Sequence, residues 1–406
     1  MDNFGFVKVA AATPSVNVAD CRYNALQIEA LMKSAEKSGV EIAVFPEMSI
    51  TAYTCGDLFH QQTLLNEARK SLSQLLEISK DLEIVTLVGM PLIVNNQLYN
   101  VAVVFSKGKI HGIVPKTYIP NYSEYYEKRW FASSFDLTSQ QTELCGQNVQ
   151  IGTNLIFETP SCKFAVEICE DLWTAIPPSS SHSLYGADII FNLSASPEAV
   201  GKNNYRRDLV VQQSARCISG YVYASAGNGE STTDLVFSGS SFIAENGTLL
   251  DEGKRFSFEN SLISADIDIE RLRTNRLRNT SFHTNSQVKD YNYIPINQSK
   301  DSSNFDLRRK INPMPFIPSE ESLNESCFEI FSIQVGGLAK RMLHTNSQSA
   351  VIGISGGLDS TLALLALVKT FDKLNIPRAN IMGITMPGFG TTDRTYKNAI
   401  SLMKSL

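Results

Sequence analysis

A glycine pair near the end of the chain constrains the fold more than any other feature of the sequence. Residues 355–360 are Ser-Gly-Gly-Leu-Asp-Ser; an apolar run at 350–354 precedes them, and a run of helical character at 361–368 follows. A strand, a glycine-rich turn and a helix start in this order predict an α/β unit that binds phosphate. The glycines let backbone N–H groups approach oxyanions, and the helix N-terminus adds partial positive charge. A Gly-Gly turn without a ligand is the alternative.

Size and composition exclude several classes of protein. A chain of 406 residues exceeds the usual single domain, so we expect two or three domains. The net charge of −5 argues against a surface that coats nucleic acid, and no apolar stretch reaches the roughly 18 residues needed to cross a bilayer. Seven cysteines without metal-site or C-x-x-C spacing indicate reduced thiols. We therefore expect a cytoplasmic protein with neither nucleic-acid nor membrane partners.

Three regions of different pattern divide the chain. Over residues 1–268, short β-branched runs alternate with amphipathic patterns, which favours a layered α/β domain. Residues 269–319 are rich in Arg, Asn, Ser, Lys and Gln, which is typical of a linker or an arm on a surface. Residues 320–406 contain a helix, the glycine-rich turn at 355–360 (the phosphate loop) and one further strand. A doubly wound nucleotide domain needs more strands, so we expect this domain to be partial and the sequence to be a truncated piece of a longer protein.

The periodicity also predicts individual elements. Strands are predicted at 6–11, 40–45, 84–90, 101–106, 109–114, 163–168, 189–193, 221–226, 239–244 and 381–386, and helices at 21–38, 62–80, 204–219 and 322–345. In the first domain, three polar residues follow strands directly: Glu47 after Val-Phe-Pro, Lys116 after Ile-Val-Pro, and Cys169 after Val-Glu-Ile. A nucleophile at a strand end can project into a cleft, with local N–H groups as an oxyanion hole.

Each of these three residues has a simpler interpretation when taken alone. Cys169 is compatible with a buried structural thiol, Glu47 with an acid at a helix start, and Lys116 with a surface charge. Their order and shared position at strand ends favour a catalytic site, in which a base accepts the proton of the cysteine. Histidine is the usual base, but none in this domain lies in a recognisable catalytic context.

Glu, Lys and Cys at three strand ends resemble the nitrilase (carbon–nitrogen hydrolase) superfamily, whose fold is an αββα sandwich. Glu47 and Lys116 are 69 residues apart, and Cys169 follows after 53 more, which suits that fold. The segments at 115–131, 168–173, 192–202 and 228–237 narrow the resemblance to the glutaminase domain of glutamine-dependent NAD+ synthetases, and 386–394 matches that family too. Ser238 departs from the family pattern, in which an aspartate precedes Gly239.

The resemblance implies that the first domain hydrolyses the side-chain amide of glutamine. Glu47 would act as the base and Lys116 would stabilise the oxyanion that forms when Cys169 attacks the amide. Glu127 would orient Lys116, although a salt bridge to its sequence neighbours is the alternative. The resemblance further implies glutamine binding by Tyr122, Tyr125, Glu170, Ser196 and Lys202. A structural hydrogen bond is the alternative role for Glu170.

The phosphate loop resembles the pyrophosphate-binding loop of the N-type ATP pyrophosphatases, and the second domain then resembles the start of a Rossmann-like synthetase domain. The implied ATP-binding residues are Ser355, Gly356, Gly357, Asp359 and Ser360, with Asp359 as a ligand of Mg²⁺. The resemblance implies that ATP adenylates deamido-NAD+, that ammonia from glutamine then gives NAD+, AMP and pyrophosphate, and that the protein is a homo-oligomer. By themselves, these 406 residues are expected to retain glutamine hydrolysis without NAD+ synthesis.

Three other functions remain open from the sequence. The first is a stand-alone nitrilase-type amidase fused to an unrelated α/β domain. The second is an ATP pyrophosphatase that amidates or thiolates another acceptor, such as a nucleotide base. The third is a scaffold without catalytic activity, in which the cysteine is incidental. Labelling of Cys169 by an electrophile that mimics glutamine distinguishes an enzyme from a scaffold.

Overall fold

A computed structural model describes residues 4–282, 290–298, 306–318, 320, 322–389 and 392–406. The chain falls into two compact units, Met1–Arg309 and Lys310–Leu406. Among the helices in the described ranges, none has the length and apolar character needed to span a membrane.

The first unit is built from fifteen strands and five α-helices within the described ranges. The strands are β1 (Phe6–Thr13), β2 (Ile42–Val44), β3 (Val85–Val94), β4 (Gln97–Ser106), β5 (Lys109–Pro115), β6 (Gln141–Leu144), β7 (Gln147–Gln150), β8 (Leu155–Glu158), β9 (Lys163–Ile168), β10 (Ile189–Ser194), β11 (Gly220–Ser225), β12 (Ser241–Glu245), β13 (Thr248–Glu252), β14 (Ser261–Asp268) and β15 (Asn292–Pro295). The helices are α1 (Cys21–Lys37), α2 (Gln62–Ser79), α3 (Pro178–Leu184), α4 (Lys202–Cys217) and α5 (Ile269–Arg278).

Two large sheets form the centre of this unit. The first has the strand order β14-β1-β2-β3-β4-β5, and the second has the order β13-β12-β11-β10-β9-β8-β15. Each sheet contains three neighbouring parallel strands: β1, β2 and β3 in the first, and β9, β10 and β11 in the second. The helices α1 to α4 are the crossovers between these parallel strands. The carboxyl ends of the parallel strands in one sheet therefore lie at one edge.

Alternate residues of the central strands enter different layers of the core. On β1, Val9 and Ala11 pack between the two sheets, whereas Ala10 and Ala12 pack against α1 and α2. On the far side, the second sheet packs on α4 through residues such as Val210. Strands buried on both faces are apolar along their whole length, which explains the short β-branched runs of the sequence. Helix, sheet, sheet and helix layers confirm the predicted αββα sandwich.

Residues 269–309 lie within the first unit. The helix α5 begins directly after β14, and β15 adds a parallel edge strand beside β8. Two of the arginines in this segment are engaged in the structure: Arg273 pairs with Asp188 at 2.6 Å, and the buried Arg276 donates to the carbonyl of Ala187 at 2.7 Å. The predicted domain limits of 1–268, 269–319 and 320–406 stay a prediction.

The second unit contains the predicted βα arrangement. Its elements are α6 (Leu323–Thr345), β16 (Ala350–Gly353), α7 (Leu358–Leu374), β17 (Ile381–Ile384) and α8 (Asp393–Ser405). The strands β16 and β17 are parallel, and α7 connects them as the crossover. Phe371 of α7 is fully buried against Met342 of α6. This pair of strands corresponds to the partial Rossmann-like domain expected from the sequence.

The chain that follows β2 approaches the backbone of Gly89 on β3 very closely. A Cβ atom at Gly89 would lie 2.3 Å from the nitrogen of Met48 and 2.8 Å from the carbonyl oxygen of Pro46. A further contact holds the two segments together: Ile50 N–H donates to the Gly89 carbonyl at 3.2 Å. Only a residue without a side chain lets Glu47, between Pro46 and Met48, lie directly over β3.

We expect Gly89→Ala to destabilise the first unit by at least about 3 kcal/mol, because the added methyl group must displace backbone atoms. Urea unfolding measures the loss. Gly39→Ala is the control: Gly39 has a φ of +75°, but apart from its chain neighbours no atom of the described residues lies within 4 Å of the position that an added Cβ would take. Its cost is limited to the left-handed backbone, about 1 kcal/mol. Equal losses in the two variants would contradict the close approach at Gly89.

Candidate active site

Glu47 lies just beyond β2, with its backbone fixed by both sheets. Its N–H donates to the carbonyl of Ser194, at the end of β10 in the second sheet, at 3.3 Å. The side chain is buried, and Asn100 on β4 donates to its Oε1 at 2.5 Å. The other oxygen, Oε2, is buried and has no hydrogen-bond partner among the residues that the structure describes. One carboxylate oxygen is thus held in place and the other is available to take a proton.

Lys116 follows β5 and is completely buried. Its N–H donates to the carbonyl of Asn100 at 2.9 Å, which continues the pairing of β5 with β4. Its Nζ donates to Glu47 Oε1 at 2.6 Å and to the two oxygens of Glu127 at 2.8 and 2.9 Å. One ammonium group is therefore shared between two buried carboxylates. Glu127 bonds Lys116 rather than its sequence neighbours, and Arg129 pairs instead with Asp57 at 2.6 Å.

The electrostatics of this group follow from its burial. Burial by itself lowers the pKa of Lys116, but the charges of Glu127 and Glu47 outweigh it and raise that pKa well above its usual value. Burial raises the pKa of Glu127 to about 7, although Lys116 and a 2.7 Å hydrogen bond from the Tyr53 hydroxyl oppose the rise. Lys116 therefore stays charged, while Glu127 titrates near neutral pH.

Cys169 follows β9 and begins a short 3-10 helix, Cys169–Trp173. Its φ is +44°, a left-handed backbone that is uncommon outside glycine and typical of strained functional sites. Burial raises the pKa of its thiol, the charge of Glu47 raises it further, and Lys116 opposes both. Cys169 therefore interacts electrostatically with Glu47 and Lys116, and all three residues are buried. A thiol with such a raised pKa needs a base to become a nucleophile.

Asp171 connects the segment that carries Cys169 with the segment that carries Lys116. Its buried carboxylate accepts from the N–H of Ile168 at 3.0 Å, of Tyr118 at 2.8 Å and of Thr117 at 3.2 Å. One carboxylate thereby bonds Thr117 and Tyr118, which follow Lys116, and Ile168, which precedes Cys169. This role was not predicted from the sequence, because the acid bonds a segment more than 50 residues away.

The residues predicted to bind glutamine cluster around the same strand ends. The Tyr122 hydroxyl donates to Glu170 Oε1 at 2.8 Å, and the Tyr122 and Tyr125 rings are 5.7 Å apart, edge to face. Lys202, the first residue of α4, donates to the Tyr125 hydroxyl at 3.2 Å. Ser196 is buried, and its Oγ has no hydrogen-bond partner in the described part of the chain.

Further residues that were not predicted from the sequence border this cluster. The Nζ of Lys202 lies 5.7 Å from the ring centre of Trp173, which stacks on Tyr205. A cavity of about 240 Å³ reaches Glu127. Its lining residues are Tyr53, Thr54, Gly56, Glu124, Tyr125, Tyr126, Glu127, Trp130, Ser231, Thr233, Asp234 and Leu235. Cys169 is not among them, so the cavity opens beside the buried charges rather than over the sulfur.

The phosphate loop of the second unit has the geometry that its glycines predict. Gly356 has a φ of +83°, and a Cβ there would lie 2.0 Å from the carbonyl oxygen of Thr395. Ser355 Oγ accepts from the Gly357 N–H at 3.3 Å and lies 3.1 Å from Ser360 Oγ. Gly357 caps α7 without a side chain, so the helix N-terminus is open to an anion.

Asp359 lies exposed in the first turn of α7. Within the described residues, no group of three His, Cys, Asp or Glu side chains is arranged to hold a metal ion. A single carboxylate still fits Mg²⁺, because that ion commonly binds one or two carboxylates together with substrate phosphates and water.

Each of the two units matches a known protein family. Residues 8–276 match the family described as carbon-nitrogen hydrolase, and residues 331–406 match the family described as NAD synthase. A Mycobacterium bovis protein named glutamine-dependent NAD(+) synthetase is 38% identical over 411 residues, which cover 99% of this chain and 60% of the relative. A Thermotoga maritima protein of the same name is 28% identical over 403 residues, covering 98% of this chain and 64% of the relative. This chain thus spans less than two thirds of their length.

A solved structure shows the same fold. The crystal structure of a glutamine-dependent NAD(+) synthetase from Cytophaga hutchinsonii superposes with a TM-score of 0.58 at 23% identity, covering 98% of this chain and 63% of that one. Together with the two family matches, this likeness confirms the resemblance on which the sequence interpretation rests.

We expect Lys116→Met to lower the free energy of unfolding by about 3–5 kcal/mol at neutral pH, because Glu47 and Glu127 are left buried without a cation. Burial already raises the pKa of Glu127, and loss of the lysine, which opposes that rise, raises it further above the unfolded value. The protonated form of Glu127 is then tolerated at low pH, and stability is lost as the pH rises through the raised value. Urea unfolding at about pH 5 and about pH 8 should show the larger loss at about pH 8.

Lys33→Met is the control for this experiment. Lys33 pairs with Glu29 at 2.6 Å on the exposed face of α1, so its loss should cost less than about 0.5 kcal/mol at either pH. A loss in Lys116→Met that is small, or that does not change with pH, would contradict the shared ammonium group.

Proposed function

The chain belongs to the carbon-nitrogen hydrolase family, and we propose that its Cys169 site hydrolyses the side-chain amide of glutamine to supply ammonia for NAD+ synthesis. The observation that carries this proposal is the buried arrangement around Lys116. One oxygen of Glu47 is fixed by Lys116, whereas the other has no partner among the described residues and is available to the thiol. The names of the relatives, which are glutamine-dependent NAD(+) synthetases, and the NAD synthase match at 331–406 support the choice of substrate and of the overall reaction.

The first chemical step needs a proton acceptor because the Cys169 thiol has a raised pKa. Glu47 Oε2 takes the thiol proton, and the sulfur attacks the amide carbon of glutamine to form a tetrahedral adduct. Lys116 places a fixed positive charge next to the developing oxyanion, with the N–H of residue 170 as a second donor. The proton on Glu47 then passes to the leaving nitrogen, so that ammonia departs and a glutamyl thioester remains on Cys169.

The second half of the reaction uses the same base. Glu47 takes a proton from a water molecule, whose oxygen attacks the thioester carbon. The carbon–sulfur bond breaks, the proton returns to the thiolate, and glutamate leaves. In both halves Glu127 holds Lys116 through two hydrogen bonds, which keeps the ammonium group directed toward the reacting oxygen.

The polar groups around the strand ends suit the amino-acid end of glutamine. Glu170, with Tyr122 bonded to it, offers a carboxylate for the α-ammonium group. Lys202 offers a positive charge for the α-carboxylate, and the Ser196 hydroxyl, which has no partner among the described residues, offers a further hydrogen bond. The rings of Tyr125 and Trp173 enclose the aliphatic part of the substrate.

In the second unit we assign ATP to the loop of Ser355, Gly356, Gly357, Asp359 and Ser360. The N–H groups at the start of α7 face the phosphates, and Asp359 would hold Mg²⁺ against them, where the ion would offset the phosphate charge. Adenylated deamido-NAD+ is the proposed acceptor of the ammonia. Assembly into a homo-oligomer stays a prediction. We also propose the reducing cytoplasm as the location, because the mechanism needs Cys169 as a free thiol.

The central test of the function is ammonia release from glutamine. We expect turnover by the unaltered chain and a loss of at least about a thousandfold in Cys169→Ser, because the hydroxyl is a poor nucleophile without the thiol's acidity. Cys217→Ser, at another buried cysteine, is the control and should retain turnover. Equal rates in Cys169→Ser and the unaltered chain would refute the assignment of the nucleophile.

ATP binding tests the second unit separately. Gly356→Ala should weaken ATP affinity by about tenfold or more, because the new methyl group meets the Thr395 carbonyl and shifts the loop. Calorimetric titration with Mg-ATP measures the change. Gly337→Ala in α6, where no described atom outside the local helix backbone lies within 4 Å of the added carbon, should leave the affinity unchanged. Unchanged affinity in Gly356→Ala would place the ATP site elsewhere.

A further inference from the structure

Glu230 lies in the loop between β11 and β12 and is buried, with 6% of its surface exposed. Its carboxylate accepts three hydrogen bonds from two residues near the start of the 3-10 helix Tyr53–His60. Oε1 accepts from the Tyr53 N–H at 2.8 Å, and Oε2 accepts from the Thr54 N–H at 2.9 Å and from the Thr54 hydroxyl at 2.6 Å. A buried carboxylate is costly unless it is bonded in this way, so the contact fixes both segments.

Two further contacts hold the Glu230 loop in this place. The N–H of Ser231 donates to Thr54 Oγ1 at 2.8 Å. On the other side, a Cβ at Gly229 would lie 2.2 Å from the carbonyl oxygen of Val16, so the loop approaches the backbone there as closely as a glycine permits. The residues that continue this loop form one wall of the cavity that reaches Glu127; they are Ser231, Thr233, Asp234 and Leu235.

Tyr53, whose N–H donates to Glu230, also contacts the buried charged residue Glu127 directly. The Tyr53 hydroxyl donates to Glu127 Oε1 at 2.7 Å, and the Tyr53 ring packs edge to face on Phe237 with centres 5.8 Å apart. Glu127 in turn holds Lys116 at 2.8 and 2.9 Å. A continuous series of short contacts therefore connects Glu230 with the ammonium group of the active site.

We propose that Glu230 is a positioning residue for amide hydrolysis, which acts by holding the Tyr53 hydroxyl on Glu127 so that Glu127 stays ionised and keeps Lys116 in place. That the reaction is amide hydrolysis rests on the function proposed above, but the contacts by which Glu230 holds Tyr53 on Glu127 do not. Glu230 is far from the reacting atoms in sequence and contacts none of the three residues of the proposed catalytic set.

The physical effect is a change in the proton affinity of Glu127. The charged and titratable groups that face Glu127 are Lys116 after β5, Glu47 after β2, Tyr53 from its 3-10 helix, and Cys169 and Glu170 after β9. Lys116 and the Tyr53 hydroxyl favour the ionised carboxylate, whereas burial and Glu47 favour the protonated one. Loss of the hydroxyl contact therefore raises the pKa of Glu127. If activity requires the ionised carboxylate, the pH below which activity is lost therefore becomes higher.

The experiment compares pH profiles of kcat/KM for ammonia release from glutamine in four proteins: the unaltered chain, Tyr53→Phe, Glu230→Gln and the double variant. The unaltered chain should lose activity as the pH falls through about 7. Tyr53→Phe should move this inflection up by about one pH unit, the effect of one hydrogen bond to a charged group. Glu230→Gln should move it in the same direction, and the double variant should shift no further than Tyr53→Phe, because both changes remove the same contact.

The rate at which iodoacetamide alkylates Cys169, followed by peptide mass spectrometry over the same pH range, is the second readout. Its inflection should move as the kinetic one does, and it needs no glutamine turnover. Absence of ammonia release together with a shifted alkylation profile would sink the proposed function and leave the positioning role standing. If neither readout shows a shifted inflection in Glu230→Gln, and the variant has only a lower melting temperature, the positioning role is overturned.

Glu245→Gln is the matched control. Glu245 is also a buried carboxylate and accepts two hydrogen bonds from Arg309, but it contacts neither Tyr53 nor Thr54. It should lower stability without moving the inflection. Should Glu230→Gln not fold, Thr54→Val removes the 2.6 Å bond to Glu230 and the acceptor of Ser231 while keeping the carboxylate. That variant should shift the inflection upward by a smaller amount, and no shift in it would contradict the proposal.

Discussion

The position of Lys116, completely buried between two carboxylates, is the constraint on which the site depends. Removing an ammonium group and a carboxylate from water costs several kcal/mol for each ion, and only short, well-directed hydrogen bonds offset that cost. Here the Nζ atom makes three such bonds, to Glu47 and to both oxygens of Glu127. Because none of the three side chains can move alone without leaving a buried charge unpaired, the lysine fixes the orientation of Glu47, the proposed base.

The fold delivers these charges from strands that are distant in sequence. Glu47 and Lys116 follow two strands of one sheet, and Cys169 follows a strand of the other, so the packing of the two sheets brings them together. Gly89 lets the glutamate segment lie on β3, and Asp171 bonds the lysine segment to the cysteine segment. The stability of the sandwich and the geometry of the site therefore share the same contacts.

The strand ends, the layered α/β class and the phosphate loop were predictable from the sequence because they follow from local patterns. The predicted range of β9 also coincides with the strand in the structure. The partners that fix the site were not predictable, since Asp171, Asn100 and Tyr53 are ordinary residues whose roles arise only from pairing across the fold. Glu230, for example, bonds Tyr53 across 177 residues. The strands β6, β7, β8, β13, β14 and β15 were also missed, because each depends on its neighbour more than on its own composition.

The sulfur of Cys169 carries the acyl group of the substrate in the proposed reaction, with Lys116 and Glu47 acting on it. Rapid acid quenching of the protein during turnover of isotopically labelled glutamine, followed by peptide mass spectrometry, tests this claim most directly. We predict a labelled glutamyl thioester on the peptide that contains Cys169. Ammonia release with no label on that peptide, or with label on another residue, would contradict it.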